Sequence, residues 1–335
     1  MNIFITGTAG FIGYHLADLF LRQGHTVHGY DGITDYYDIR LKQARHQLLR
    51  QYPQFTATEA LLEEDAVLQA AIDACQPQVI IHLAAQAGVR YSIDNPRAYV
   101  DANIVGTFNV MEGARRHKVQ HLLMASTSSV YGANKEMPYA ETHKADTQMS
   151  FYAATKKANE AMAHSYAHIY GIPTTMFRFF TVYGPWGRPD MALFKFTKNI
   201  LEGKPIDIYN HGDMWRDFTY VSDLVRGIAL LLNTAPSAVN ANPSILNDSL
   251  SSVAPWRVVN IGNSQKVRLL DFVEAIEDSL NKKAIRNYMD MQPGDVPATW
   301  ADASLLNKLT GYKPKTDFKH GIKQFVEWYR EFYDC

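Results

Sequence analysis

Tyr152 and Lys156 lie in an alanine-rich run from about residue 150 to residue 170 that predicts a helix. Side chains at positions i and i+4 share one helix face, so the lysine ammonium can stabilise a tyrosine phenolate. A tyrosine with a pKa of about 10 is a poor base at neutral pH unless a nearby cation favours its ionised form. The pair is therefore a candidate for proton transfer, although the same spacing also occurs where a solvated lysine lies beside a packed ring.

A hydroxyl-rich segment adds a cluster of Ser and Thr side chains to this pair. The apolar run at residues 121–126 is typical of a buried strand, and a Thr-Ser-Ser run follows it at residues 127–129. Parallel α/β sheets bind ligands at the carboxyl ends of their strands, whereas most hydroxyl clusters only satisfy backbone groups in turns. The position of this cluster directly after the strand favours ligand binding. With Tyr152 and Lys156, a hydroxyl of this cluster would complete a set that can deprotonate an alcohol while hydride leaves its carbon for a nicotinamide.

The N-terminal residues predict a dinucleotide site. A short strand ending at Thr6 runs into a glycine turn with the spacing G-x-x-G-x-x-G and then into a helix. Glycines let the backbone approach a pyrophosphate at the positive end of a helix. A second strand ends at Asp31, whose carboxylate can accept hydrogen bonds from ribose hydroxyls and would repel a 2'-phosphate. We therefore expect NAD rather than NADP, bound by Gly7, Gly10, Phe11, Ile12, Gly13 and Asp31.

Strands and helices alternate along the chain, which predicts the fold class α/β: a Rossmann-type doubly wound parallel sheet with a smaller C-terminal α/β substrate-binding domain. Residues 79–85 read as a buried parallel strand and residues 97–116 as a helix. We place the cofactor-binding domain, with the catalytic residues, at 1–180 and the mainly substrate-binding domain at 181–335. The chain is expected to cross back to the first domain around 210–260.

Composition excludes several classes of protein. The 335 residues are 47% hydrophobic, which is too apolar for a disordered chain. The formal net charge is -1 and no block of like charges occurs, so neither nucleic acid nor a membrane surface has an electrostatic basis for binding. No apolar run approaches a membrane span, no signal peptide is evident, and the chain has only 2 cysteines. We expect a cytoplasmic protein with a small-molecule substrate and no metal centre.

The glycine turn, the hydroxyl loop and Tyr152-x-x-x-Lys156 resemble the extended short-chain dehydrogenase/reductases, the group that contains nucleotide-sugar epimerases and dehydratases. Three further stretches closely resemble bacterial UDP-glucuronate 4-epimerases: Asp35-Tyr36-Tyr37-Asp38, the segment RFFTVYGPWGRPDMA at 178–192, and Gln292-Pro293-Gly294-Asp295-Val296. The resemblance covers essentially the whole chain, and the segment at 178–192 is its most specific part. It implies a UDP-sugar substrate and a homodimer built by helices from residues 97–116 and 150–170.

The resemblance also implies a mechanism. Tyr152, with its pKa lowered by Lys156 and by the nicotinamide, would take the proton of the sugar's 4-hydroxyl, and Thr127 would hydrogen-bond the 4-oxygen. The 4-keto sugar would then turn and accept hydride on its other face, so UDP-glucuronate becomes UDP-galacturonate. Ser128 and Ser129 stand where dehydratases carry acidic residues. UDP-glucose or UDP-N-acetylhexosamine epimerisation, decarboxylation to a pentose, and a dinucleotide-sensing protein without activity are the alternatives.

The remaining site residues follow from the same resemblance. Arg188 is expected to bind a substrate anion or to close the site, with a solvated loop arginine as the alternative. Arg216 is expected to bind the diphosphate and Asp295 the uridine ribose, while the helix beginning at Ala192 lies near uracil. Glu59 stands where the family reads adenine with an aspartate, and a solvated glutamate is the equal alternative. The substrate-binding residues predicted are Arg90, Ser128, Ser129, Thr181, Arg188, Phe194, Arg216 and Asp295. The further cofactor-binding residues predicted are Glu59, Ala60, Leu83, Ala84, Ala85, Tyr152 and Lys156.

Overall fold

The computed structural model describes residues 1–237, 245, 247–292 and 294–335, so Pro293 of the third motif lies outside the described residues. The strands are β1 (Asn2–Thr6), β2 (Thr26–Asp31), β3 (Phe55–Glu59), β4 (Val79–His82), β5 (His121–Thr127), β6 (Thr174–Phe179), β7 (Thr181–Tyr183), β8 (Pro205–Ile208), β9 (Trp215–Tyr220), β10 (Trp256–Ile261), β11 (Lys266–Arg268), β12 (Ile285–Tyr288) and β13 (Ala298–Thr299). The α-helices are α1 (Phe11–Arg22), α2 (Ile39–Leu49), α3 (Asp65–Cys75), α4 (Tyr91–Asp94), α5 (Pro96–Tyr99), α6 (Gly106–His117), α7 (Phe151–Tyr170), α8 (Ala192–Glu202), α9 (Val221–Leu231), α10 (Leu269–Leu280), α11 (Ser304–Thr310) and α12 (Phe318–Tyr333).

The largest sheet of the described chain has seven strands in the order β10-β6-β5-β4-β1-β2-β3, and every neighbouring pair is parallel. All residues of β5 are buried, as expected for a strand covered by helices on both faces. The strand order reverses between β1 and β4, which opens a crevice at their carboxyl ends. The predicted Rossmann-type sheet is confirmed, and the crevice marks the place for a ligand.

A smaller α/β part lies in the C-terminal half. Here β9 pairs with β7, β11 and β13, and β8 pairs with β12. Helices α8, α10 and α12 contribute to a second apolar core, which includes Phe194, Phe272 and Phe325. Strand β10 nevertheless belongs to the large sheet, and α9 packs against α1. The exact division at residue 180 stays a prediction.

Two predicted elements differ from the structure. The strand expected at residues 79–85 ends at His82, and the Thr6 hydroxyl accepts hydrogen bonds from the amides of Leu83 and Ala84 just beyond it. The helix expected at 97–116 contains a π-helix, Val100–Val105. Wide turns of this kind are frequent at functional sites. No helix of the described residues is long and apolar enough to cross a bilayer.

Candidate active site

The glycine turn between β1 and α1 is so tight that side chains are excluded from two of its positions. Gly7 has φ +84°, and a Cβ there would lie 2.8 Å from the Ala84 amide nitrogen. A Cβ on Gly13 would lie 2.0 Å from the Gly7 carbonyl oxygen. α1 begins at Phe11 after the N-cap Gly10, with no side-chain cap and no acidic residue in its first turn. Its amides and positive end fit the diphosphate of a dinucleotide.

Asp31 ends β2 beside this turn. Its Oδ2 accepts a hydrogen bond from the Ala9 amide at 2.9 Å, and its Oδ1 accepts one from the Ile33 amide at 2.9 Å. The carboxylate therefore also shapes the turn, which the sequence pattern did not predict. Its place at the carboxyl end of β2 suits the expected contact with ribose hydroxyls.

The other predicted cofactor residues follow β3 and β4. Glu59 is the register partner of Asp31 on the next strand, and Ala60 follows it. Arg50 donates a hydrogen bond to the Glu59 carboxylate at 2.6 Å, so this side chain is already held by the end of α2. Residues 83–85 lie just past β4, where the strand order reverses. An adenine contact by Glu59 stays a prediction.

Thr127, Tyr152 and Lys156 meet at the carboxyl end of β5. Ser150 caps α7 by accepting a hydrogen bond from the Ala153 amide at 3.1 Å, which fixes Tyr152 in the first turn. Thr127 ends β5, and its hydroxyl accepts a hydrogen bond from the Ser129 amide at 3.2 Å. Thr127 and Tyr152 are within hydrogen-bonding reach, and Lys156 is buried on the same helix. The structure thus brings the predicted set together.

The electrostatics of this set correct one expectation. We expected Lys156 to lower the pKa of Tyr152, but burial raises the pKa of the phenol above its usual value. The hydrogen bond with Thr127 and the charge of Arg188 oppose that rise. Burial also lowers the pKa of Lys156 to about 8, against the charge of Glu160, which raises it. Desolvation disfavours both charged forms, so this protein alone does not form the phenolate readily.

The shifted pKa of Lys156 makes stability depend on pH. Between about pH 8 and the ordinary value of 10.5 the unfolded chain binds more protons than the folded one, so the free energy of unfolding rises with pH. Below pH 8 the full cost of burying the charge is present. We expect Lys156→Met to be more stable than wild type near neutral pH, with the gap shrinking by about 3 kcal/mol by pH 10.5. Urea unfolding at several pH values measures the gap, exposed Lys144→Met is the control, and a constant gap contradicts the shift.

Sequence reasoning missed the buried Asn103, which lies in the π-helix. Its side-chain amide donates to the Gln86 carbonyl at 3.0 Å and to the Thr155 hydroxyl at 3.1 Å, and its oxygen accepts from the Gln86 amide at 2.8 Å. Asn103 therefore ties the segment after β4 to the helix that carries Lys156. The only sequence signal was an amide side chain inside a predicted helix.

Two of the family-like motifs meet at Arg188. Its guanidinium donates two hydrogen bonds to Asp190, at 3.0 and 2.5 Å. The Tyr36 hydroxyl lies 3.5 Å from the same carboxylate. Since the charge of Arg188 also affects Tyr152, this guanidinium lies close to the proton-transfer site. Asp190 and Tyr36 were not predicted as site residues.

Three predicted substrate residues form a second charged group. Arg90 pairs with Asp295 at 3.1 Å and stacks over the ring of Tyr209 at 4.5 Å. Arg216 donates to the Pro297 carbonyl at 3.3 Å, and the charge of Asp295 raises its pKa against the larger effect of burial, which lowers it. Because two cations share one carboxylate, this group keeps a net positive charge, which suits the binding of a diphosphate.

The last predicted substrate residues differ in what they can offer. Thr181 begins β7, just beyond Phe179, the register partner of Thr127, so it lies at the same sheet edge as residues 128 and 129. The ring of Phe194 packs in the apolar core, 5.1 Å from that of Tyr329. The ring also lines a small cavity beside Arg188, so contact of this side chain with the substrate stays a prediction, and the first turn of α8 remains the place expected for uracil.

Within the described ranges, no group of three or more His, Cys, Asp or Glu side chains is arranged to hold a metal ion.

The chain is similar to known proteins along nearly its whole length. Residues 4–325 match the family model described as GDP-mannose 4,6 dehydratase. A protein of Rhizobium meliloti (strain 1021) named probable UDP-glucuronate 4-epimerase is 55% identical over 334 residues, which cover 99% of this chain and 98% of the relative. UDP-glucuronate 4-epimerase 4 of Arabidopsis thaliana is 44% identical over 338 residues, covering 99% of this chain and 76% of the relative.

Solved structures show the same similarity. The UDP-glucuronic acid 4-epimerase of Bacillus cereus, in complex with UDP-glucuronic acid and NAD, has a TM-score of 0.86 at 31% identity, covering 99% of this chain and 100% of that one. The UDP-glucose 4-epimerase of Thermotoga maritima, with UDP-glucose, has a TM-score of 0.84 at 26% identity, covering 99% and 100%. The architecture described above is thus that of known sugar-nucleotide epimerases.

Proposed function

Because this chain belongs to the GDP-mannose 4,6 dehydratase family, within the extended short-chain dehydrogenase/reductases, we propose that it is an isomerase that converts UDP-glucuronate to UDP-galacturonate with bound NAD. The observation that carries this proposal is the meeting of Thr127, Tyr152 and Lys156 beside Arg188 at one sheet edge. A proton-transfer group next to a guanidinium suits an alcohol on a sugar that also carries a carboxylate.

The glycine turn, Asp31 and the segment after β4 would hold the cofactor. NAD, when bound, supplies the acceptor and later the donor of hydride for the sugar's C4. Lys156, charged below about pH 8, would stabilise the Tyr152 phenolate that takes the proton from the 4-hydroxyl. Thr127 would hydrogen-bond the 4-oxygen, and Tyr152 would return the proton after the 4-keto sugar has turned.

Local chemistry disfavours the dehydratase reaction for which the family model is named. Elimination needs an acid and a base beside the hydroxyl that corresponds to Thr127, and here Ser128 and Ser129 follow it.

The positive group formed by Arg90 and Arg216 around Asp295 would bind the diphosphate and the uridine ribose.

The test of the proposed function is incubation of purified protein with UDP-glucuronate and no added cofactor. UDP-galacturonate as the product supports the proposal. UDP-pentose would indicate a decarboxylase, turnover of UDP-glucose or a UDP-N-acetylhexosamine alone would indicate a different epimerase, and NAD binding without any turnover would indicate a non-enzymatic protein.

A second experiment tests how the carboxylate survives. A hexuronate oxidised at C4 is a β-keto acid and loses carbon dioxide easily, so we expect Thr127, Ser128, Ser129 and Thr181 to hold the carboxylate in an orientation that resists this loss. Ser128→Ala and Thr181→Ala should each release UDP-pentose as several per cent of product or more, a rise of about tenfold. Chromatography of the products measures it.

The control for these variants is Ser279→Ala, whose hydroxyl only hydrogen-bonds within α10. It should leave the product ratio at the wild-type value. Normal epimerisation without extra UDP-pentose in both site variants would show that these hydroxyls do not orient the carboxylate.

The homodimer and the cytoplasmic location stay predictions. Exposed apolar side chains on or beside the two helices expected at the dimer interface support a second copy of the chain as partner: Val105, Phe108, Met149 and Phe151.

A further inference from the structure

Arg45 is a fully buried cation that forms no ion pair with a carboxylate in the described part of the chain. From α2 its guanidinium donates four hydrogen bonds, all to neutral oxygens. The acceptors are the carbonyls of Ala9 at 2.7 Å, Trp186 at 2.5 Å and Gly187 at 3.4 Å, and the Tyr37 hydroxyl at 2.9 Å. Removing such a charge from water without a counter-ion is costly, so its place calls for a functional reason.

The acceptors belong to two separate parts of the proposed site. Ala9 lies in the glycine turn, and its amide is the group that Asp31 holds on the other side. Trp186 and Gly187 directly precede Arg188. One side chain therefore joins the turn expected to hold the cofactor diphosphate to the loop that presents the guanidinium beside Tyr152.

A second contact reaches the same loop from α1. The His15 Nε2 donates to the Pro185 carbonyl at 2.9 Å, and burial lowers the pKa of this histidine to about 4, so it is neutral near pH 7. His15 and Arg45 together hold three successive carbonyls, those of residues 185–187. Such a run of contacts fixes the backbone immediately before Arg188.

The backbone of this loop is in an unusual conformation. Trp186 has φ +61° and Gly184 has φ +141°. A positive φ is rare for a bulky residue and persists only where the surroundings enforce it. The Trp186 ring packs 5.0 Å from Phe332 and 5.6 Å from Tyr14, the latter on α1. Ring packing of Trp186 and the hydrogen bonds from Arg45 hold the loop in this form.

We infer that Arg45 is a positioning residue that couples the cofactor-binding glycine turn to the loop presenting Arg188, so that neither shifts alone. The inference rests on the proposed function. An epimerase must keep the reduced cofactor and the 4-keto sugar together until hydride returns to C4. Each escape would release one reduced cofactor and one keto-sugar, and the enzyme would then need added NAD to continue.

The test compares Arg45→Met and Arg45→Lys with Arg40→Met, an exposed arginine on the same helix. In folded Arg45→Met we expect NAD that stays bound through gel filtration to fall about tenfold, and the UDP-pentose fraction from UDP-glucuronate to rise about tenfold. Arg45→Lys should give values of both readouts between those of Arg45→Met and wild type, because an ammonium cannot reach all four acceptors. Arg40→Met should match wild type in both readouts.

A double-variant cycle separates coupling from loss of stability. In an Arg188→Ala background, Arg45→Met should change the UDP-pentose fraction much less than in wild type, since both act through one guanidinium. Full additivity would overturn the coupling. A lower melting temperature with unchanged NAD retention and product ratio would also overturn it, by indicating a merely structural role. If wild type leaves UDP-glucuronate unchanged, the proposed function fails, and NAD retention still tests Arg45.

Discussion

Tyr152→Phe is expected to lower kcat for epimerisation by about 10³-fold while the protein keeps its bound NAD. Removal of the hydroxyl takes away the group proposed to take the proton of the sugar's 4-hydroxyl and to return it. The ring still packs against Tyr99, whose centroid lies 6.0 Å away, so the fold and the cofactor site should survive. Product formation from UDP-glucuronate and the absorbance of released cofactor measure the two effects separately.

The matched control is Tyr170→Phe, since Tyr170 is an exposed tyrosine at the far end of the same helix. It should retain wild-type kcat. Lys156→Met should also lose most activity, because burial already raises the pKa of the Tyr152 phenol and the variant removes the ammonium proposed to stabilise its phenolate. A Tyr152→Phe variant within about tenfold of wild type would assign the proton transfer to another group.

Glu160→Ala is expected to destabilise the folded protein by about 3 to 5 kcal/mol. Glu160 is buried and accepts hydrogen bonds from Arg178 at 2.9 and 2.8 Å, Ser126 at 2.7 Å and Lys157 at 3.0 Å. Although burial alone would raise the pKa of Glu160, the bonds and charge of Arg178 lower it to about 2. Alanine would leave the buried guanidinium of Arg178 without a counter-ion. Urea unfolding gives the change in free energy.

Two further variants make this prediction specific. Glu112→Ala breaks a surface pair with Arg115 and should cost about 1 kcal/mol or less. The double variant Glu160→Leu with Arg178→Met removes both charges and should recover much of the loss, since a buried pair adds little net stability over apolar packing. A loss in Glu160→Ala no larger than that in Glu112→Ala would mean that the pair is solvated.

The pair also bears on catalysis. Glu160 lies one turn after Lys156, and its charge raises the pKa of that lysine. Glu160→Ala should therefore leave Lys156 less protonated near neutral pH and lower kcat even where the protein remains folded. Measurement of kcat under conditions below the denaturation midpoint of the variant, where the protein is still folded, distinguishes this effect from a loss of stability.

The parts of the site that rest on local sequence were predictable. Gly7 and Gly13 occupy positions with no room for a side chain, Asp31 follows a strand directly, and Tyr152 and Lys156 share one helix face. Each depends on turn geometry or helical spacing within a few residues, and these are properties of the local chain. The strand and helix alternation likewise led to the correct class of sheet.

Contacts between distant segments were not predictable. Arg45 hydrogen-bonds two carbonyls that lie 141 and 142 positions further along the sequence. The Tyr36 hydroxyl contacts Asp190, and the Asn103 side chain donates a hydrogen bond to Thr155. No periodic pattern in the sequence encodes these contacts. The register of Arg90 against Asp295 depends in the same way on how the C-terminal part packs on the sheet.

Local spacing thus predicted the sheet, the glycine turn and the proton-transfer pair, since each depends on the order of residues along a short stretch of chain. The electrostatics and the alignment of that pair follow instead from packing between distant segments. Burial set the pKa directions of Tyr152 and Lys156, because desolvation depends on all the groups that pack around a side chain. Packing of α1 and α2 on the loop at residues 184–188 set where Arg188 points, since three backbone carbonyls there are held by side chains far away in sequence.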